Sequence, residues 1–213
     1  MYVVSGSFHW IGFHIVQYLL ATGQEVIGLD IIDTDKKDNL SMFVGRNSSF
    51  THVEHSDDLL HNSKQSDYIV FEVAEDKERF SLPELGNKKV YNFCTTRKEN
   101  EVLDDTCYVK LPLLYGEWIP RDYDGIFFQD EYIRFDSTRF QREAVYISDF
   151  IESLLQVIAT SDRVLGTNLL IIKRKNEREE YKEKGTIVVD ESKPMEKRLA
   201  ELDDHYELYK DFY

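Results

Sequence analysis

The opening run MYVVSGSFHWIGFHIVQYLLATGQEVIGLD constrains the fold more than any other stretch of the chain. Tyr2 to Ser5 is short, apolar and ended by Gly6, as a parallel strand buried on both faces would be. Trp10 to Ala21 predicts a helix, because Ile11, Ile15 and Leu19 share one face with Val16 and Leu20. Gly23 is placed to close it. Glu25 to Asp30 then predicts a second strand that ends on an acid. Strand, glycine turn, helix, strand, acid is the layout of a dinucleotide-binding unit. The turn reads Gly6-Ser7-Phe8-His9-Trp10-Ile11-Gly12 and keeps the outer two glycines of G-x-x-G-x-x-G. His9 stands at the middle one.

Each glycine of such a turn has its own task. The first permits the bend, the second lets the backbone approach a pyrophosphate, and the third lets helix pack on strand. Gly6 and Gly12 supply the first and third. A side chain at position 9 narrows the phosphate space, and Trp10 adds bulk. The helix N-terminus still offers its N–H groups to an anion, and a protonated His9 would contact a phosphate there. Asp30 is placed to accept hydrogen bonds from ribose hydroxyls, which favours NAD over NADP. The alternative is an ordinary strand-end acid beside Asp33 and Asp35.

Further along, Phe50–Glu54, Tyr68–Val73 and Lys89–Phe93 read as strands, with helix-compatible stretches at Lys36–Val44 and Asp57–Lys64. This alternation predicts an α/β fold with a doubly wound parallel sheet. Cys107–Leu114 is an apolar strand broken by Pro112, and Gly125–Phe135 suggests short strands of a reduced cap. Ser148–Ala159 predicts a helix capped by Ser148 or Asp149. Thr167–Ile172 and Ile187–Val189 are later strands. Residues 1–172 are expected to form one domain and 173–213 a charged extension. In the extension Met195, Leu199, Leu202, Tyr206, Tyr209 and Tyr213 recur at alternating spacings of four and three, the seam of an amphipathic helix. Two readings of it stand: docking on its own domain, or contact with a protein partner or second copy.

The net charge of −14 argues against nucleic-acid and anionic-membrane partners. No stretch approaches the roughly 20 apolar residues that a membrane span needs. Cys94 and Cys107 are too few for a disulfide scaffold, so a reducing cytoplasm is expected. The six histidines lack compact ligand spacing apart from His52 and His55, and no metal site is expected.

Four blocks together resemble the extended short-chain dehydrogenase/reductases, the NAD-dependent epimerase/dehydratase family acting on nucleotide sugars. VVSGSFHWIGFHIVQYLLATGQEVIGLD resembles the family's opening. FTHVEHSDDLL with SDYIVFEVA resembles its third and fourth strands, and YVKLPLLYGEW its Arg-Pro and Tyr-Gly signature, with Leu111 where arginine is usual. REAVYISDFIESLLQVI resembles the segment leading into a late helix. The resemblance implies an NAD site lined by Gly6, His9, Trp10, Ile11, Gly12, Asp30, Ile31 and Ala74. It implies a nucleotide or nucleotide sugar as ligand, and Thr95 or Thr96 in place of the catalytic hydroxyl.

The family's catalytic pair is Tyr-x-x-x-Lys on one helix face. Its lysine lowers the tyrosine pKa so that the phenol exchanges a proton near neutral pH. Between Thr96 and Pro112 this chain has no such pair. Its one Tyr-x-x-x-Lys is Tyr206 to Lys210, in the tail seam. The expectation is a degenerate, non-catalytic protein used in binding or assembly. Two rivals stay open. One is an active NAD-dependent enzyme with Thr95 or Thr96 aided by Tyr115 or Tyr146. The other is a partner-binding module that uses the C-terminal helix.

Overall fold

The computed structural model describes residues 1–59, 67–73, 87–94, 105–160, 165–174 and 185–213. They fall into two compact units, Met1–Val109 with Leu165–Thr167, and Lys110–Val164 with Asn168–Tyr213.

In the first unit the strands are β1 (Tyr2–Ser5), β2 (Val26–Leu29), β3 (Phe50–Val53), β4 (Asp67–Val73), β5 (Asn87–Cys94) and β6 (Thr106–Lys110). Their order is β3-β2-β1-β4-β5-β6. This is the doubly wound α/β arrangement, and its switch point lies beside β1. The ladders β1–β2, β1–β4, β2–β3 and β4–β5 are parallel, with Tyr2 opposite both Val26 and Ile69. Val3, Val4, Leu29, Val70 and Phe71 are wholly buried, as continuous apolar strands of a covered parallel sheet should be. Phe71 stacks on Tyr2, Tyr91 and Phe93, tying three neighbouring strands together. Helix α1 (Trp10–Ala21) has the expected bounds, and Gly23 follows its cap at φ +79°. Helix α2 (Asp35–Val44) starts on Thr34, whose hydroxyl accepts from the Lys37 amide. The helix expected over Asp57–Lys64 lies largely outside the described residues.

The second unit begins with β7 (Leu114–Tyr115), separated from β6 by the segment around Pro112. The break expected at Pro112 within Cys107–Leu114 separates these two strands, since proline cannot donate to a ladder. β8 (Gly125–Phe128) and β9 (Glu131–Arg134) form an antiparallel hairpin. Its two-residue turn, Gln129 and Asp130, has φ of 51° and 63°, the left-handed pair that such tight hairpins need. Helix α3 (Thr138–Glu143) leads to β10 (Val145–Tyr146), paired with β7, and then to α4 (Ile147–Thr160). β11 (Asn168–Lys173) and β12 (Thr186–Val189) are parallel. Helix α5 (Met195–Tyr209) ends in a 3-10 turn over Lys210–Phe212.

Ser148 and Asp149 do not cap α4, contrary to the expectation from sequence, because the helix already begins at Ile147. The Asp149 carboxylate instead accepts from the Ser192 hydroxyl at 2.6 Å and from Arg198 at 3.1 Å. The β-pairing of Val145 and Tyr146 runs straight into the helix, leaving the acid inside it.

Candidate functional site

In the first unit β1 delivers the chain to Gly6, whose φ of +75° favours glycine. A Cβ there would lie 2.6 Å from the Val73 carbonyl oxygen, and one on Gly12 would lie 2.0 Å from the Gly6 carbonyl oxygen. Both glycines are therefore demanded by backbone packing, whatever the turn binds. His9 is different. Its φ and ψ of −68° and 143° are ordinary extended backbone, open to any residue. The fold tolerates a side chain at position 9.

That side chain caps α1. His9 Nδ1 accepts the Ile11 N–H at 3.3 Å, so the ring meets an N–H group that a helix start otherwise offers to an anion. In this structure the Nδ1 side of the ring thus faces the helix's own backbone. Trp10 and Ile11 are buried at 4% and 0% exposure. Both side chains belong to the core, and Trp10 meets His14 edge-on.

Asp30, one residue past β2, is 3% exposed. The Phe8 N–H donates to its Oδ2 at 2.8 Å. The Lys37 ammonium lies 3.1 Å from its Oδ1. His52 Nε2 donates to its carbonyl oxygen at 2.8 Å. The Phe8 ring is buried against His52 and Phe50. Lys37 also donates to the Ile31 carbonyl at 3.1 Å and pairs with Asp33 at 2.9 Å. Burial alone would lower the Lys37 pKa, but Asp33 and Asp30 raise it on balance. The hydrogen bond from Lys37 holds Asp33 below the usual carboxylate range. Ile31 is 39% exposed and enters this group through its backbone.

The structure thus brings Gly6, His9, Trp10, Ile11, Gly12, Asp30 and Ile31 to one end of the parallel sheet. Ala74, Thr95 and Thr96 lie outside the described residues. Sequence reasoning missed Phe8 and Lys37. The signal for Lys37 was its nearness in sequence to Asp30 and Asp33, a basic residue just after two acids.

The second unit holds another set of charged groups. Arg198 on α5 pairs with Asp149, donates to the Ser192 hydroxyl at 2.7 Å and lies 4.0 Å from the Tyr146 ring centroid. Tyr146 donates to Glu117 at 2.5 Å. Burial first, then Glu117, push the Tyr146 phenol well above its ordinary pKa, and burial does the same to Tyr115. The Arg121 side chain is wholly buried between Phe135 and Tyr206, with its Nη2 2.6 Å from Asp203. Trp118, at φ +66°, packs against His205, Tyr209 and Tyr213. Leu202 is fully buried, while Leu208 is 70% exposed. The seam of α5 is therefore packed within its own unit.

Cys94 and Cys107 are not joined in a disulfide, and burial pushes the Cys107 thiol up to about 12. Among the described residues no helix is long and apolar enough to cross a membrane.

Neither protein-family models nor curated sequences give a match. Solved structures do. A UDP-glucuronic acid 4-epimerase from Bacillus cereus, in complex with NAD, aligns at a TM-score of 0.60 and 13% identity, over 98% of this chain and 97% of that one. A dTDP-glucose 4,6-dehydratase from Bacillus anthracis, in complex with NAD, aligns at 0.63 and 10%, over 100% and 98%. A yeast methylglyoxal/isovaleraldehyde reductase complexed with NADPH aligns at 0.54 and 12%, over 99% and 100%. At these identities the likeness establishes the fold alone: Rossmann-like α/β with a C-terminal helix.

Proposed function

We propose that this chain is a non-catalytic, epimerase/dehydratase-like protein that works through binding or assembly and has at most weak affinity for a dinucleotide. The observation that carries this reading is the state of Asp30. Its carboxylate is almost wholly buried, with one oxygen on the Phe8 N–H and the other on Lys37. In a dinucleotide site the acid at this place serves the ribose hydroxyls.

NAD fits the glycine geometry of the turn and does not fit its donor set. The His9 ring takes up the Ile11 N–H, and Lys37 takes up the acid. The proton-transfer side supports the same reading. The one Tyr-x-x-x-Lys of the chain puts Tyr206 under the Arg121 guanidinium, where it serves as a packing surface. Tyr115 and Tyr146 have phenols held neutral by burial. A cytoplasmic setting accords with two cysteines that form no disulfide.

The structural neighbours nonetheless name the ligands worth testing, since two were solved with NAD and one with NADPH. Assembly through Met195 to Tyr213 would use the outward residues, Leu208 foremost, because the seam is engaged within its unit. The test is titration of the purified chain with NAD(H), NADP(H) and UDP-sugars, with products followed by mass spectrometry. The expected result is no turnover and no saturation below millimolar concentration. Tight binding with turnover would overturn the reading and favour an active enzyme.

A further inference from the structure

The contacts of Lys37 go a step beyond the proposed loss of dinucleotide binding, on which this step rests. An ammonium has three hydrogens to donate. Those of Lys37 face three oxygens, Asp30 Oδ1 at 3.1 Å, the Ile31 carbonyl at 3.1 Å and Asp33 Oδ1 at 2.9 Å. The lysine is thereby held from three sides. Its backbone is held as well, because its own N–H donates to the Thr34 hydroxyl that caps α2. Asp30 retains only 4% of its side-chain surface, and Lys37 26%. The cover over the acid is thus one partly exposed side chain, while the strand and turn beneath it have the dinucleotide-type layout.

We infer that Lys37 is an internal ligand of Asp30: it occupies the acceptor positions that a nucleoside's ribose hydroxyls would use, and so blocks this end of the site. A ribose could bind only by displacing an ammonium held by three oxygens. Ribose hydroxyls would make charge-assisted bonds of their own to the carboxylate, but they would leave this nearly buried acid without its counter-charge. Removing the ammonium while keeping the carboxylate would leave an acceptor of the correct type, with the Phe8 N–H still holding its second oxygen.

The experiment uses adenosine as probe, because it carries the ribose without a pyrophosphate and so leaves the His9 end of the turn out of the comparison. Binding is followed by NMR titration of the intact chain and of Lys37→Met, which keeps most of the apolar stem. The expected result is about a tenfold gain in adenosine affinity in Lys37→Met. The gain is expected to vanish with 2′,3′-dideoxyadenosine and in the double variant Asp30→Asn/Lys37→Met. Asp33→Asn alters an exposed residue and only loosens the lysine, so it should give a smaller gain in the same direction. Equal affinity of Lys37→Met and the unaltered chain for adenosine, with native circular dichroism, would overturn the inference, as would an equal gain for the dideoxy analogue. Should Lys37→Met not fold, an unchanged affinity in Asp33→Asn overturns it instead. Turnover by the unaltered chain would defeat the proposed function separately, whatever the variants do.

Discussion

Asp30 and Asp149 are both nearly buried carboxylates, 3% and 5% exposed, and both meet a basic side chain. They differ in what the basic partner brings with it. Lys37 comes from the first turn of the helix just after Asp30, seven residues on, and its ammonium is partly open to solvent. Arg198 comes from the C-terminal helix, 49 residues away, and is itself buried over Tyr146. One pair is a local cover on a strand end. The other ties a distant helix to its unit. Similar charge chemistry covers a strand-end acid in one place and holds a distant helix in the other.

The largest effect should come from breaking the long-range pair. Arg198→Ala leaves Asp149 buried without its cation and is expected to cost about 3–5 kcal/mol, read by urea denaturation. If the cost is under about 1 kcal/mol, the two regions do not differ as argued.

Next comes Gly12→Ala. A Cβ 2.0 Å from the Gly6 carbonyl oxygen cannot be placed without moving backbone, so a loss of about 3 kcal/mol is expected in the same assay. This marks the outer glycines as requirements of the fold.

Alkaline pH probes the C-terminal helix. Burial raises the Tyr213 pKa from 10.0 to about 12. The folded chain therefore holds this proton over a range where the unfolded chain has lost it. Its contribution is full below about pH 10 and is lost as pH rises through about 12. Tyr213→Phe should flatten that part of the stability–pH curve, at the cost of the hydroxyl's hydrogen bond to His205. Cys107 titrates in both proteins and cancels in the difference. An unchanged curve would place Tyr213 in a more open setting.

His9→Gly should have the smallest effect on stability, about a few tenths of a kcal/mol, because glycine is a tolerable N-cap and the backbone there is ordinary. Set beside Gly12→Ala, it separates the glycines that the fold needs from the one a ligand would need.

Most of the parallel sheet was legible from the sequence. Its strands are continuous apolar runs, and α1 repeats apolar residues at three- and four-residue spacing between Gly6 and Gly23, so the pattern placed them. The order of the turn residues was legible too. What the turn does with its polar groups was not. The Ile11 N–H bonded to His9 and the Oδ1 of Asp30 bonded to Lys37 are outcomes of side-chain geometry that spacing does not contain. Asp149 shows the same limit: it stands where a cap residue would, yet it serves Arg198 from 49 positions away. In the tail the seam was readable, but its partner was not. Trp118 and Arg121, which receive Tyr209 and Tyr206, lie in a segment with no regular period.

The central claim is that the chain's own groups close the nucleotide turn. The most direct measurement is the backbone amide spectrum of the ¹⁵N-labelled protein during addition of NAD, with the Phe8 and Ile11 resonances assigned. The account predicts that both stay in place up to millimolar NAD, because the Asp30 carboxylate and the His9 ring already hold these two N–H groups. Saturable shifts of both resonances at micromolar NAD would contradict it.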